Sequence, residues 1–263
     1  MTNSASLPLA VPTELAKLLR AIPRAALGFS GGVDSAYLLY ACRACGVDVQ
    51  AYYVSTAFQP AFELEDARRF AKDIGAPLAV LPYDILALPQ VAANLQDRCY
   101  HCKKAIFGQI QARATADGYP VVMDGSNASD NADDRPGMRA LGELRVCSPL
   151  REAGLTKRQV RAFSRQAGLF TWNKPAYACL ATRVPTGTPL EADTLQKIEA
   201  AEDTLARLGF TDFRVRVLGD AGKLQLPAAQ ITVAAARHEE LRNKLSPWFS
   251  DILLDLTPRP EEA

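Results

Sequence analysis

The sequence predicts an α/β protein in which helices cover a parallel sheet, followed by a smaller C-terminal α+β domain. Three observations carry this expectation. Short strand-like runs alternate with helical ones through the first two-thirds of the chain, as repeated β-α units require. A turn of small residues, Ser30-Gly31-Gly32, stands where the first such run feeds a helix. Beyond residue 170 the pattern changes to a long helix, two short runs placed for pairing, and a second helical stretch.

Taken in order, 24–29 is a short apolar strand and 35–45 a helix closed by Gly46. The run 47–54 is strand-like, because Tyr52, Tyr53 and Val54 suit a pleated surface. Residues 62–74 form a charged amphipathic helix stopped by Gly75, and 78–81 a further strand. A helix over 103–117 and a strand over 121–123 follow, the latter ending at Asp124-Gly125. Thr156 has the side chain to cap a helix over 156–167. The stretch 171–189 holds three prolines and no helical period, and reads as a long loop. After it come a helix over 191–208, paired strands over 213–218 and 223–226, a helix over 230–245 and a last strand over 252–256. The boundary falls near residue 170, giving domains of 1–170 and 171–263.

The 263 residues are 48% apolar, enough for a buried core and too many for a disordered chain. Thirty basic and 29 acidic residues leave a formal charge of +1, which supplies no electrostatic reason to bind nucleic acid or membrane. The first ten residues lack a basic segment followed by an apolar run, and no stretch approaches eighteen apolar residues. The expectation is a cytoplasmic protein, in which six cysteines are not a disulfide framework.

The strongest local motif is Ser30-Gly31-Gly32-Val33-Asp34-Ser35. A small-residue turn entering a helix lets backbone N–H groups approach an anion, and the helix terminus adds a favourable partial charge. Ser30 and Ser35 add hydroxyls. Asp34 is a poor phosphate contact and is expected to hold magnesium or to fix the loop. The lysine of the ordinary phosphate loop is missing, which argues against γ-phosphoryl transfer. The motif resembles the SGGxDS loop of the PP-loop ATP pyrophosphatases, an adenine nucleotide alpha hydrolase-like, Rossmann-like class. That resemblance implies cleavage of ATP between its α- and β-phosphates, with Val54 and Ser55, at the end of the next strand, beside the adenine.

Cys99-Tyr100-His101-Cys102 is compatible with a redox dithiol, half of a zinc site or part of an iron–sulfur site. Cys179 lies in the proline-rich loop, where Arg183 and Lys174 are nearby cations. A nucleophilic cysteine in a chain that adenylates suggests sulfur delivery to an activated carbonyl. Cys42, Cys45 and Cys147 read as small core residues.

The loop, Arg98-Cys99-Tyr100-His101-Cys102-Lys103, Asp124-Gly125-Ser126-Asn127, Arg135-Pro136-Gly137, Ser148-Pro149-Leu150, Trp172 with Lys174-Pro175-Ala176, and Cys179-Leu180-Ala181-Thr182-Arg183 occur in one order. Together they resemble the LarE sulfur transferases, over about residues 13–257. The resemblance implies synthesis of the nickel-pincer nucleotide cofactor of lactate racemase and related enzymes. The carboxylates of pyridinium-3,5-biscarboxylic acid mononucleotide would be adenylated with ATP and Mg2+, then converted to thiocarboxylates, twice per cofactor. It further implies ATP contacts from Gly125 and Arg135, a catalytic role for Cys179, Arg183 and Glu202, and a substrate-phosphate site at Arg214 and Arg216. Those two arginines alternate along a strand and share one face. Two sulfur sources occur in the family. In one, the cysteine matching Cys179 is consumed to dehydroalanine. In the other, three cysteines, here Cys99, Cys102 and Cys179, hold a [4Fe-4S] cluster with one open iron; the three-cysteine pattern favours this form. Family members are homo-oligomers. The chain departs from the family at Thr182, at Pro185-Thr186-Gly187 and at Gln225, where Ser, Pro-Tyr-Gly and a nearby acidic residue are common. Competing readings are a tRNA-thiolating enzyme, an ammonia-dependent synthetase of the NAD synthetase kind, and a non-catalytic nucleotide-binding module.

Overall fold

The computed structural model describes residues 10–130, 136–175 and 177–259. The chain divides into two compact units. The first takes in the chain up to Thr56, Ala61–Tyr83 and Cys99–Lys174; the second takes in Ala57–Pro60, Asp84–Arg98 and the chain from Pro175 onward.

Helix α1 (Thr13–Arg20) opens the first unit and leads to strand β1 (Arg24–Gly28), helix α2 (Val33–Ala44) and strand β2 (Asp48–Ser55). Helix α3 (Ala61–Asp73) and strand β3 (Leu78–Pro82) follow. The four-residue α4 (Pro89–Ala92) belongs to the second unit. Helix α5 (Arg98–Ala116), strand β4 (Val121–Met123), helix α6 (Pro136–Glu143), the short α7 (Pro149–Glu152) and helix α8 (Lys157–Gln166) complete this part of the chain. The sheet order is β3-β2-β1-β4 and every pairing is parallel. This is the expected α/β arrangement.

Its layers follow from the burial pattern. Asp34 alone interrupts burial along α2 from Val33 to Cys42, so this helix lies inside the unit instead of presenting one face. Leu27, Val49, Ala51 and Tyr53 pack towards α2, with Phe70 of α3 and Val160 of α8. On the opposite sheet face Ala26, Tyr52, Val54 and Val122 pack with Phe107, Ile110 and Ala114 of α5. Gly28 is required there, because a Cβ would lie 2.8 Å from the Phe107 ring. Helix α8 starts as its sequence predicts: Thr156 accepts from Gln159 N–H and the Gln159 side chain answers it, a full capping box. Cys42, Cys45 and Cys147 are core or half-buried thiols, and burial is the main force pushing each of them up.

The second unit holds helix α9 (Ala192–Arg207), strands β5 (Arg214–Leu218) and β6 (Ala221–Gln225), helices α10 (Ala228–Ala236) and α11 (His238–Leu245), and strand β7 (Asp251–Leu254). Strands β5 and β6 are antiparallel, and β7 joins β6 in parallel. The stretch expected as a single helix over 230–245 is two helices, broken at Arg237. The loop expected over 171–189 contains two short 3-10 turns, Phe170–Asn173 and Leu180–Arg183. No helix among the described residues is long and apolar enough to cross a membrane.

Asn94 joins two separate segments of this second unit. It is 2% exposed and lies at φ 53°, in the left-handed region. Its amide donates to the carbonyls of Pro185 and Thr188 at 2.9 and 3.0 Å, and its own carbonyl accepts from Gly187 N–H at 2.9 Å. Asn94→Ala removes both side-chain bonds and leaves a residue ill suited to that backbone. It is expected to lower the unfolding free energy by about 2–4 kcal/mol. Urea denaturation followed by circular dichroism measures this; an unchanged midpoint would deny the clamp.

Candidate functional site

In the first unit the sheet order reverses between β1 and β4, and the loop after β1 leaves the sheet at that switch point. Ligands of open parallel sheets bind outside the carboxyl ends of strands at such a place. Gly31 is at φ 72° and its Cα is packed against α3, where a Cβ would lie 3.2 Å from Ala67. The loop is held by its own hydroxyls. Ser30 Oγ and Ser35 Oγ are 3.1 Å apart, Ser30 N–H donates to Ser35 Oγ at 3.3 Å, and Gly32 N–H donates to Ser30 Oγ at 3.3 Å. Val54 and Ser55 end β2, the strand next to β1, so they share the same sheet edge with the loop.

Gly125 approaches the same loop from β4. A Cβ on it would fall 2.8 Å from the backbone nitrogen of Ser35, so the segment after β4 lies directly on the first turn of α2. The buried Asp124 anchors that segment by accepting from Ser126 Oγ at 2.5 Å and Ser148 Oγ at 2.6 Å. Asn127 Nδ2 donates to Asp34 Oδ1 at 3.3 Å, and Lys157 Nζ lies 2.5 Å from Asp34 Oδ2. Thus Ser30, Gly31, Gly32, Asp34, Ser35 and Gly125 are brought together as expected partners, while Lys157 was not anticipated. Arg135 lies outside the described residues.

Cys99 and Cys102 are placed differently from the sequence reading, which put the C-x-x-C before the helix. Helix α5 starts at Arg98, so both cysteines occupy its first turns, one turn apart on one side. Cys99 is exposed and Cys102 half-buried. Two thiols at that spacing suit one edge of a cluster, but Cys179 belongs to the second unit. No group of three metal-binding side chains assembles among the described residues.

In the second unit Cys179 stands just before the 3-10 turn Leu180–Arg183. Its carbonyl accepts from Thr182 N–H at 2.9 Å and Thr182 Oγ1 at 2.8 Å. Arg98 Nη1 donates towards its Sγ at 3.6 Å. The turn is fastened by a buried ion pair. Arg183 Nε and Nη2 meet Glu202 Oε1 and Oε2 at 2.8 and 3.1 Å, with the Arg183 side chain 0% and that of Glu202 5% exposed. Glu202 also accepts from Tyr177 Oη and from Val215 N–H at 2.9 Å. Arg183 Nη1 donates to Ala178 O at 2.8 Å.

Arg214 and Arg216 project from the same face of β5, as their alternation predicts. Arg216 donates to Thr182 O at 2.8 Å and to Gln225 Oε1 at 2.5 Å, and Gln225 in turn donates to Asp255 at 2.9 Å. Burial, reinforced by Arg183 and Arg259, pushes the Arg214 guanidinium down to about 10 and lowers that of Arg216 too. Cations crowded against one another are an expensive arrangement, and an anion between them would relieve it.

Known proteins share this chain's sequence over most of its length. It is 33% identical over 245 residues to the pyridinium-3,5-bisthiocarboxylic acid mononucleotide synthase of Lactiplantibacillus plantarum, covering 92% of this chain and 89% of that one. It is 39% identical over 213 residues to an uncharacterized protein of Synechocystis sp., 80% of this chain and 79% of the other. An uncharacterized protein of Methanocaldococcus jannaschii is 28% identical over 190 residues, 72% of each chain. No family model matches the chain.

The buried ion pair yields a quantitative expectation. Glu202→Gln leaves the Arg183 guanidinium buried without its counter-charge, and should destabilise the protein by about 3–5 kcal/mol. Equilibrium denaturation of the two proteins at neutral pH tests it, and a difference below about 1 kcal/mol would show that the pair does not hold the turn.

Proposed function

The chain belongs to the LarE family of sulfur transferases, and on that premise we propose that it carries out the sulfur-inserting step of nickel-pincer nucleotide biosynthesis. The observation that carries this reading is the similarity to the L. plantarum synthase over nine-tenths of the chain, joined to a phosphate loop and Cys179 in the same sequence. The substrate is a pyridinium mononucleotide bearing carboxylates, and the co-substrate is ATP with Mg2+.

The chemistry follows from the residues. ATP lies with its phosphates on 30–35 and its adenine beside Val54 and Ser55, with Gly125 completing the site. A substrate carboxylate oxygen attacks the α-phosphorus, pyrophosphate departs, and an acyl-adenylate forms. Arg214 and Arg216 hold the substrate phosphate, for which a forked guanidinium is well shaped. Cys179 supplies or relays sulfur to the activated carbonyl carbon and AMP leaves. Arg183 and Glu202 act by holding the turn that carries Cys179, since both are occupied with each other and buried.

Two sulfur sources remain distinct. If Cys179 is consumed, its Sγ forms a thioester. Loss of the Cα proton with cleavage of the Cβ–Sγ bond then releases the thiocarboxylate and leaves dehydroalanine. No oxidant is needed. A [4Fe-4S] cluster on Cys99, Cys102 and Cys179 would instead supply exogenous sulfide, and the three cysteines favour it. The working assembly is proposed to be a cytoplasmic homo-oligomer that binds no nucleic acid.

Carboxylate-dependent exchange of labelled pyrophosphate into ATP measures adenylation alone. Cys179→Ser is expected to keep that exchange within about threefold while abolishing thiocarboxylate formation; thiocarboxylate formation retained at the wild-type level would remove Cys179 from the sulfur step. Iron and acid-labile sulfide after anaerobic purification separate the two sources. About four irons per chain, lost in Cys99→Ala, supports the cluster. An iron-free protein whose mass falls by one hydrogen sulfide on turnover supports sacrifice of Cys179.

A further inference from the structure

One face of the sheet in the second unit carries more than its two arginines. Arg214 and Arg216 of β5 stand opposite Gln225 and Lys223 of β6 in the antiparallel register, so the four side chains share a face. Asp255, just past β7, is fastened beside them, because its backbone N–H donates to Leu224 O at 2.9 Å. Its carboxylate accepts from Gln225 Nε2 at 2.9 Å and from Thr257 N–H at 3.1 Å, and Lys223 Nζ lies 2.9 Å away. Those contacts, that from Gln225 foremost, hold the Asp255 carboxyl well below the usual carboxylate range, at about 2. It is a fixed anion at any ordinary pH.

An ionised carboxylate only accepts hydrogen bonds, and a guanidinium only donates them. Gln225 stands between one of each, and a single orientation of its amide satisfies both. The NH2 group faces Asp255, and Oε1 accepts from Arg216 Nε at 2.5 Å. Arg216 is gripped a second time where Nη1 donates to Thr182 O at 2.8 Å. Its Nη2 makes no hydrogen bond to another of the described residues. Thr182 in turn donates its N–H and Oγ1 to the Cys179 carbonyl. A continuous series of bonds therefore runs from Asp255 through Gln225 and Arg216 to the turn beside Cys179, all within the second unit.

We propose that Asp255 is a positioning residue for the substrate-phosphate site, acting through Gln225 to fix Arg216 with Nη2 left for the anion. An unrestrained arginine samples many rotamers, and ordering it on binding subtracts from affinity. Here Arg216 is ordered before the phosphate arrives, and the charge of Asp255 polarises the Gln225 amide and makes Oε1 a better acceptor. A carboxylate set directly against Arg216 would compete with the phosphate for the same guanidinium. The interposed neutral amide transmits the restraint and keeps that charge one side chain away. The inference rests on the reading that Arg214 and Arg216 hold the substrate phosphate.

The test is the steady-state kinetics of carboxylate-dependent pyrophosphate exchange with two probes, pyridinium-3,5-biscarboxylic acid mononucleotide and the corresponding nucleoside, which lacks the phosphate. Asp255→Ser is the informative variant, since a serine hydroxyl still accepts from Thr257 N–H and keeps that turn but is too short to reach Gln225. It should raise KM for the mononucleotide about 10-fold, keep kcat within about threefold, and leave kcat/KM for the nucleoside within about twofold of wild type. Gln225→Ala should do the same. In an Arg216→Ala background, Asp255→Ser should change KM by less than about twofold, because the residue it positions has gone. Should Asp255→Ser not fold, Gln225→Ala decides, because it leaves Asp255 and its turn in place; a wild-type KM there overturns the proposal. An unchanged KM in Asp255→Ser overturns it too, and so does a loss shared equally by the nucleoside or one that persists in the Arg216→Ala background. A lowered KM would mean that Asp255 withholds Lys223 from the phosphate, which also overturns it. A wild-type protein that handles mononucleotide and nucleoside alike refutes the phosphate-site reading itself, a separate outcome.

Discussion

One carboxylate organises the second unit around Cys179. Glu202, on α9, gathers the guanidinium of Arg183, the hydroxyl of Tyr177 and the backbone N–H of Val215. Those three partners come from the segment before Cys179, the turn after it and strand β5. A buried ion is tolerated only when its hydrogen-bonding capacity is filled, and here the filling groups are the ones whose positions matter. The proline-rich segment, which has no ladder or long helix to restrain it, is held around Cys179 by this acceptor and farther on by Asn94.

The first unit solves a related problem with backbone and small side chains. Gly31 and Gly125 let α3 and the segment after β4 come against the loop without a Cβ between them. The serine hydroxyls satisfy the loop's own polar groups. The phosphate loop and Cys179 lie on short irregular segments, while Cys99 and Cys102 stand on α5 and Arg214 and Arg216 on β5.

Much of this was legible in the sequence because it is local. Periodicity and Gly stops gave the four parallel strands, and Val121–Met123 falls on the residues predicted. Thr156 and Gln159 announced α8 through spacing alone. The SGGxDS turn, Gly125 and the alternating Arg214 and Arg216 were likewise readable as patterns. What escaped was non-local or weakly encoded. Cys, Tyr and His are indifferent helix formers, so nothing marked the start of α5 at Arg98 ahead of the cysteines. The break between α10 and α11 at Arg237 involves no Gly or Pro. Lys157 reads as an ordinary first-turn lysine, and Arg98 as part of a motif. Their partners, Asp34 and Cys179, lie 123 and 81 residues away, a relation that only the folded chain reveals.

The distribution of thiols has a consequence for chemical selectivity. Cys42 is sealed in the core, and Cys45 and Cys147 sit in surroundings that resist ionisation. A thiol kept protonated is a poor nucleophile, a poor ligand and a slow target for oxidants. Half of the cysteines are therefore bystanders. Electrophilic probes, oxidants and incoming iron meet a chain whose effective sulfur inventory is smaller than its composition, which restricts mis-metallation and adventitious cross-linking without removing a single cysteine from the sequence.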